Sequence, residues 1–577
     1  MSASTPSARL RSLATAVVVT AISLASIGIV AGSSDAQVAS SVSRQRPLPS
    51  ASVGVQSAVR HEVKCMRAYA KDPANNFTNY AAAIGAPEVT DAIHSGLQPC
   101  ATFTGRAKGA NQVAQFTTSQ SYPGGVQIVT FGGPDSAFLL AGAPGTPIPG
   151  YTDGPYVARF DPATGDQIWR TYLPMLTGQW LLPGSMAVVK DGSVDVAIGP
   201  RVYKLDPSTG AITAWVQQPI LDGEPEDANL DGFAVAPDAR GTILLKSQTR
   251  SPGCPTQGSG AMSGCIDQYG PQPFTTFVAV DPVTLENIAA IKLDQSVVAR
   301  PIVVPHGKKT YIYLSGATHG VRIIWDPKAR TLTQDASWAP SYLLPGQGAG
   351  DAPVLMGQWV IFNSNAITST TMHICAVVVR QSDDSDVHRV CPWGTALPGG
   401  ASSEAPASFS TDPENNMFFM QDLLVGGVFG VHLDQATGAM EVRWSRPDWR
   451  TSDYLVTMGS AKDRVVISQY IDPTGFTVAD LFTNGWRESV LWASEATGAT
   501  VAQSAVNGPT SLGWMPMPGY AGRVYTMNAD GTFTIYLPLA CSRSTTQAVS
   551  PASITMCSTD YSTLPQPIEL PTLPPQP

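Results

Sequence analysis

Asp161-Pro-Ala-Thr-Gly165-Asp-Gln-Ile-Trp169 is the stretch that decides the fold, because the chain repeats it. It returns as Asp206-Pro-Ser-Thr-Gly210-Ala-Ile-Thr-Ala-Trp215 and as Asp434-Gln-Ala-Thr-Gly438-Ala-Met-Glu-Val-Arg-Trp444, and it shortens to Glu495-Ala-Thr-Gly498. Partial copies stand at Asp281-Pro-Val-Thr-Leu285 and Asp326-Pro-Lys-Ala-Arg330. Each copy follows a short apolar run and precedes another, which reads as strand, tight turn, strand. Asp bonds its own backbone two residues on, Pro presets φ, and Gly supplies a positive φ. The Trp is an apolar wedge whose N–H still needs an acceptor. These residues belong to a repeated frame, so Asp161, Asp206 and Asp434 are not read as catalytic acids.

The period sets the architecture. Asp161 to Asp206 spans 45 residues, and so does Asp281 to Asp326. That is the length of one four-stranded propeller blade, about 40–50 residues. Asp206 to Asp281 is one blade plus an insertion carrying Cys254 and Cys265; Asp326 to Asp434 holds two blades, one of them marked by Cys375 and Cys391 instead of the phrase. The expected blades are 124–173, 184–217, 231–294, 299–338, 351–393, 404–446, 453–504 and 511–536. The fold class is therefore all-β, an eight-bladed β-propeller with a small N-terminal helical module. Seven blades is the alternative, if the short last segment completes the first blade by exchanging a strand.

Composition agrees. Only 14% of residues are charged, 52 Gly and 48 Pro punctuate the chain, and the net charge is −9. Short β runs between turn signals argue all-β, and the acidic balance argues against a nucleic-acid footprint.

The ends organise around this core. Arg9 and Arg11 precede a run of small and apolar residues over 15–30, and Ser34-Asp35-Ala36 offers a cleavage site. Residues 1–36 read as a secretory signal peptide, with an uncleaved anchor as the alternative. Residues 37–56 read as a linker and 57–110 as the helical module. In it Val59, Val63, Met66 and Tyr69 share one face; Asn75 and Asn76 are expected to cap a second helix, and Pro87 to open a third. The propeller takes 111–540, and 541–577 is a disulfide-tied extension with a Pro-rich tail. The chain is expected to be secreted or held in the cell envelope, with no membrane span after signal removal, and monomeric.

The cysteines fall as neighbouring pairs, and an even count in an exported chain implies disulfides. The economical pairing is Cys65–Cys100, Cys254–Cys265, Cys375–Cys391 and Cys541–Cys557. The two middle pairs are expected to staple loops that carry function.

The phrase at 161–169 resembles the tryptophan docking motif of pyrroloquinoline-quinone-type propellers; the copies at 206–215 and 434–444 carry one and two extra residues before Trp. The resemblance covers roughly residues 124–536. That family includes quinoprotein alcohol dehydrogenases and non-enzymatic scaffolds. Its enzymes set a disulfide between adjacent cysteines against the quinone, with a calcium ligand set and an Asp general base. No two cysteines of this chain are adjacent, and none of those active-site residues maps to a position here.

Candidate chemistry is sparse. Asp227, Asn229, Asp231 and Gly232 fit the opening of an oxygen-rich calcium loop, with Asp238 at its twelfth position. The competing reading is a solvated loop. The His residues show no metal-ligand spacing, Asp383-Asp384-Ser-Asp386 reads as a charged loop, and Asn76-Phe-Thr78 is a glycosylation sequon. No cofactor is expected other than a possible calcium. The expected function is an exported, non-catalytic propeller that binds a protein partner or a cell-surface polymer. The rival is a quinoprotein-type oxidoreductase, or another enzyme using the central funnel.

Overall fold

A computed structural model describes residues 53–539, apart from 88–90, 92, 106–110, 125, 143–152, 175, 177–183, 250–273, 298–299, 346, 366–372, 394–407, 453, 478, 481–484 and 511–514. It contains eight antiparallel sheets arranged as the blades of a propeller. Blades 1 to 4 run over the strands of 126–172, 185–217, 228–292 and 302–334; blades 5 to 7 over 348–390, 410–446 and 456–503. The expected segments match these ranges within a few residues. In each of these blades the strands follow one another from the channel outward. Apolar residues of neighbouring blades form the core between them, and most inner and middle strands are fully buried.

Blade 8 shows how the ring closes. The strands Met517–Pro518, Val524–Met527 and Thr532–Leu539 are joined by an outer strand from the other end of the propeller sequence, Gln112–Ser121. Its register runs from Gln112 opposite Leu539 to Thr117 opposite Thr534. A strand is exchanged, but it completes the last blade and leaves the count at eight. Closure removes the open edges that a curved array would otherwise expose.

The repeated phrase is the turn into each outer strand. Asp161 Oδ1 accepts from the Ala163 amide at 2.7 Å, and the Gly165 amide donates to Asp161 O at 2.7 Å. Leu285 and Arg330 occupy the glycine position with φ of 60° and 58°. Trp444 bridges to the following blade, donating from Nε1 to Glu495 O at 2.7 Å; a Cβ on Gly498 would lie 2.7 Å from its ring. Trp169 makes the weaker version, 3.2 Å to Pro207 O. Trp215 does not dock. It is 52% exposed under the Arg201 guanidinium, because the next blade carries Leu285 where a glycine would admit the ring. Gln218 reaches Leu285 O instead, at 2.8 Å.

Among the described residues the N-terminal module has one α-helix, Val53–Tyr69; the expected third, from Pro87, falls on 88–90 and 92, outside the described residues. Met66 is buried, and Val59, Val63 and Tyr69 pack against the propeller core. The expected second helix is a single 3-10 turn, Pro73–Asn75, closed by Asn76 at φ 48°. Asn76 itself is buried, its Nδ2 donating to Val303 O at 2.7 Å, so folding withdraws the sequon from modification.

The disulfides Cys65–Cys100 and Cys375–Cys391 form as paired. The second does not staple a loop. Residues Ala376–Arg380 and Asp383–Val390 are the third and outer strands of blade 5, and the bond ties their open end. The acidic run, expected as a charged loop, instead opens the outer strand at a register shift beside Arg380: Asp386 pairs with Arg380 and His388, and Asp384 accepts from the Ala339 amide. Cys254, Cys265, Cys541 and Cys557 lie outside the described residues. The two bonds suggest an oxidising, extracytoplasmic environment. Among the described residues no helix is long and apolar enough to cross a membrane.

Candidate functional site at the channel axis

After the helix the chain enters the propeller as a strap, residues 76–104. It crosses the end of the channel where the first and second strands of each blade turn. Ala81 N donates to Val188 O of blade 2, Val235 N of blade 3 to Tyr80 Oη, and Ile84 N to Tyr520 Oη of blade 8. Phe131 N of blade 1 donates to Gly85 O. The strap then climbs inside the channel. Ser95 O and Gly96 O accept from Thr411 N of blade 6 and Thr457 N of blade 7, and Leu97–Gln98 adds a parallel strand to blade 7. Gly96 has φ 65°, and a Cβ there would stand 2.7 Å from Ser410 Oγ. Only glycine admits this approach. The return is pinned twice, by Cys65–Cys100 and by Glu62, whose carboxylate accepts from Thr102 N and Ala521 N at 3.0 and 2.8 Å.

At the tip of the strap stand Asp91 and Ile93 to Ser95. The Asp91 carboxylate accepts from the Ser95 amide at 2.9 Å, the Ile93 amide at 3.1 Å and the Ser95 hydroxyl. Burial pushes its pKa up to about 6 against these hydrogen bonds. His94 sits at φ 51° and is buried. Burial, then the positive charge of Arg300, hold its pKa down to about 3, so the imidazole is neutral at pH 7.

Above this tip lies the other, open end of the channel, where residues entering the first strands of blades 4 to 7 meet. Arg300 Nη1 donates to Tyr454 Oη at 2.7 Å, and Tyr454 Oη donates to Asp351 Oδ2 at 2.6 Å. The Ser408 amide donates to the same Oδ2 at 2.9 Å. Arg300 belongs to blade 4, Asp351 to blade 5, Ser408 to blade 6 and Tyr454 to blade 7. Blades 4 and 7 are not neighbours, so their bond closes across the axis. A small recess of about 70 Å³ lined by Phe476 and Trp486 marks the same end of blade 7.

None of these axial residues was singled out from sequence; His94 is one of the His residues without metal-ligand spacing. Arg300, Asp351, Ser408 and Tyr454 each precede the first-strand run of their blade by one to three residues. Aligning the blades on that run is the signal that would have grouped them.

The calcium candidates are not brought together as a loop. Asn229 and Asp231 lie within the strand Ala228–Val235, and Asp227 ends the 3-10 turn before it. Asn229 Oδ1 accepts from the Gly199 amide at 2.5 Å. Asp231 pairs with the buried Lys246 ammonium at 2.7 Å. Asp238 stands beyond the far end of the strand, where it caps the turn at Arg240–Thr242 and accepts from Trp325 Nε1 at 2.9 Å. The alternation that suggested a loop is that of a strand. Among the described residues no group of three or more His, Cys, Asp or Glu could hold a metal.

No protein-family model matches the chain, and no curated protein matches it. Solved propellers do. The chain is similar to a quinohemoprotein alcohol dehydrogenase from Comamonas testosteroni, at 12% identity over 84% of each chain with a TM-score of 0.48. It is also similar to BamB from Moraxella catarrhalis, at 12% identity over 74% of this chain and 100% of that one, TM-score 0.43. The WD40 domain of SCAP from fission yeast matches at 7% identity over 74% of this chain and 98% of that one, TM-score 0.40.

The axial residues do not fit a calcium–quinone pair. A hard cation needs about 6–8 oxygen ligands. Among the described residues the axis offers Asp351, with Oδ2 committed to Tyr454 and Ser408 beside the cationic Arg300, and Asp91, committed to Ile93 and Ser95.

Proposed function

We propose that the chain is an exported, non-catalytic propeller that binds a macromolecule, a protein partner or a cell-surface polymer, with the loops at its open end. One observation carries the reading. The strap crosses the opposite end of the channel with bonds to blades 1, 2, 3, 4 and 8, and runs on inside it against blades 6 and 7. At the other end the described loop residues Ala317 and Thr474 are exposed, and loops on a rigid scaffold are the usual carriers of recognition. The donor set described at the axis, with Asp351 Oδ2 already accepting from Tyr454 and Ser408, speaks for the non-catalytic reading over a calcium-dependent one.

The test uses three surface variants in capture from the cell-envelope fraction. Ala317→Arg and Thr474→Arg lie in exposed open-end loops of blades 4 and 7. Val283→Arg lies at the strap end and is 77% exposed. The open-end changes are expected to abolish capture and Val283→Arg to leave it intact; the reverse pattern sinks the reading. Dye reduction with alcohols and aldoses, supplied with pyrroloquinoline quinone and calcium, tests the oxidoreductase rival. Turnover that stops when the quinone is withheld would overturn the non-catalytic reading.

A further inference from the structure

The helix Val53–Tyr69 buries one face and leaves a charged flank in solvent. Glu62 and Met66 are buried, with Glu62 accepting from Thr102 N of the strap and Ala521 N of blade 8. On another flank Arg60, Lys64 and Arg67 recur at one-turn spacing, and Lys71 continues the row past the last turn. All four are exposed, and no hydrogen bond or ion pair among the described residues engages their side chains. Residues at i, i+4 and i+7 share one side of a helix, so the cations form a row about 15 Å long. We propose that this row is a docking face for an anionic bilayer, which seats the chain with its strap end toward the lipid and its open-end loops outward. The inference goes beyond the reading of those loops and does not depend on it.

Charge selects the partner. The chain carries 35 Lys and Arg against 44 Asp and Glu, yet the row contains no acid. The acids that act on Tyr69, at the helix end, are Asp91, Glu414 and Asp72. Asp91 is buried and bonded within the strap, Glu414 pairs with Arg464, and Asp72 caps Ala74 N. The uncompensated charge therefore lies at Arg60, Lys64 and Arg67. Like charges at i, i+4 destabilise a helix, so the row stands against its own repulsion until an anionic surface answers it. The net charge of −9 does not prevent this, because salt screens charges more than about 8 Å away. Shape selects a plane over a strand of polymer. The row runs along the outside of a helix and not in a groove, and long Lys and Arg stems can level their charged ends on a flat array of head groups. Position agrees. The apolar run at 15–30 lies upstream, with Arg44 and Arg46 between it and the helix. Read as a signal or as an anchor, that run brings this part of the chain to a membrane.

The experiment is vesicle sedimentation with the chain from residue 37, which contains every described residue and lacks the apolar run that would insert by itself. Vesicles of phosphatidylcholine with about 40% phosphatidylglycerol are compared with phosphatidylcholine alone, in about 50 mM and about 500 mM NaCl. The chain is expected to pellet with the anionic vesicles only, and to be released by the higher salt. Each Lys or Arg at an anionic surface adds about fivefold to the partition constant, so Arg60→Ser with Lys64→Ser and Arg67→Ser should weaken it about a hundredfold. The control is Lys292→Ser with Arg443→Ser and Arg487→Ser, which removes as many exposed cations from blades 3, 6 and 7 and carries the same net charge. It should bind as the parent does. Equal loss in the two variants would make the effect one of net charge and overturn the proposal. So would equal binding to neutral vesicles, or no binding to anionic ones at low salt. Long-chain polyphosphate is the soluble probe. If it binds with the expected salt and variant dependence while vesicles do not, the row belongs to a polymer and the bilayer is excluded. None of these outcomes bears on capture by the open-end loops, so the two readings fail separately.

Discussion

Trp444 Nε1 and Glu495 O lie 2.7 Å apart on consecutive blades, and the indole ring between them covers Gly498. The blades are joined here by a hydrogen bond and a packed ring at once. The other phrase tryptophans grade downward from this arrangement. Trp444 is 5% exposed, Trp169 is half-buried, and Trp215 is 52% exposed.

The gradient predicts three different costs. Trp444→Ala should destabilise by about 3–5 kcal/mol, the range for a buried large-to-small change. Trp169→Ala should cost roughly half as much, and Trp215→Ala less than about 1 kcal/mol. Urea melts of the three variants check the order. Equal losses would show that the phrase, and not its docking, sets the contribution.

Arg330 stands exposed at φ 58°, in the position that the phrase gives to glycine elsewhere. A non-glycine residue there costs roughly 1–2 kcal/mol, partly offset because glycine loosens the unfolded chain. Arg330→Gly is therefore expected to stabilise by about 0.5–1 kcal/mol. A lowered Tm in the variant would contradict it.

The frame was readable and the axis was not, for a physical reason. Turns need particular residues: Asp161, Gly165 and their copies announce themselves by composition and recur at blade spacing. Arg300, Asp351, Ser408 and Tyr454 are held by position, each at a strand entrance, and no local pattern links residues that meet only when the ring closes. The same holds for the strand Gln112–Ser121, whose partner Thr532–Leu539 lies at the far end of the propeller. The calcium reading of Asp227 to Asp238 failed to separate an oxygen-rich loop from a strand with polar residues on one face. Asp231 is answered by Lys246 from the next strand, beyond the reach of a motif.

Glu488 gives the fold a pH dependence of known sign. It is buried in blade 7, where Trp486 Nε1 donates to it at 2.8 Å and Gln469 Nε2 and Thr510 Oγ1 also donate. Burial pushes its pKa up from 4.5 to about 8, against those hydrogen bonds. Between these values the folded chain keeps a proton that the unfolded chain releases. Stability from this group is full below about pH 4.5 and is lost as pH rises toward 8, with a slope of up to ~1.4 kcal/mol per pH unit. Glu488→Gln keeps the acceptor and removes the proton. Melts at pH 5, 6.5 and 8 should show a shallower decline in the variant. A parallel decline would place the titration elsewhere, with Glu495, raised to about 8 by burial and the neighbouring Asp412, as the next group to change, and then Asp91 and Asp195, both raised by burial to about 6.

The strap makes the N-terminal module part of the propeller, and this can be broken in two ways. The Cys65–Cys100 bond closes a loop of 35 residues that contains the helix end and the whole climb through the channel. Such a loop contributes about 2–4 kcal/mol through the unfolded state. Cys65→Ser with Cys100→Ser should lose that amount and leave the folded strap in place, because Glu62 still binds Thr102 N and Ala521 N. Gly96→Ala acts on the folded state instead. Its Cβ would meet Ser410 Oγ at 2.7 Å and Leu455 O at 3.0 Å, at a φ that L side chains rarely adopt. The added strain is of order 1–3 kcal/mol, and the clash adds to it. The strap tip must shift, and with it Thr457 N loses its acceptor, Gly96 O. Hydrogen exchange at Thr411 and Thr457 separates the two cases. Both amides should stay protected in the double serine variant and exchange faster in Gly96→Ala. Protection retained in Gly96→Ala would mean that the channel accommodates the methyl group and that the close approach at Gly96 is not what seats the strap.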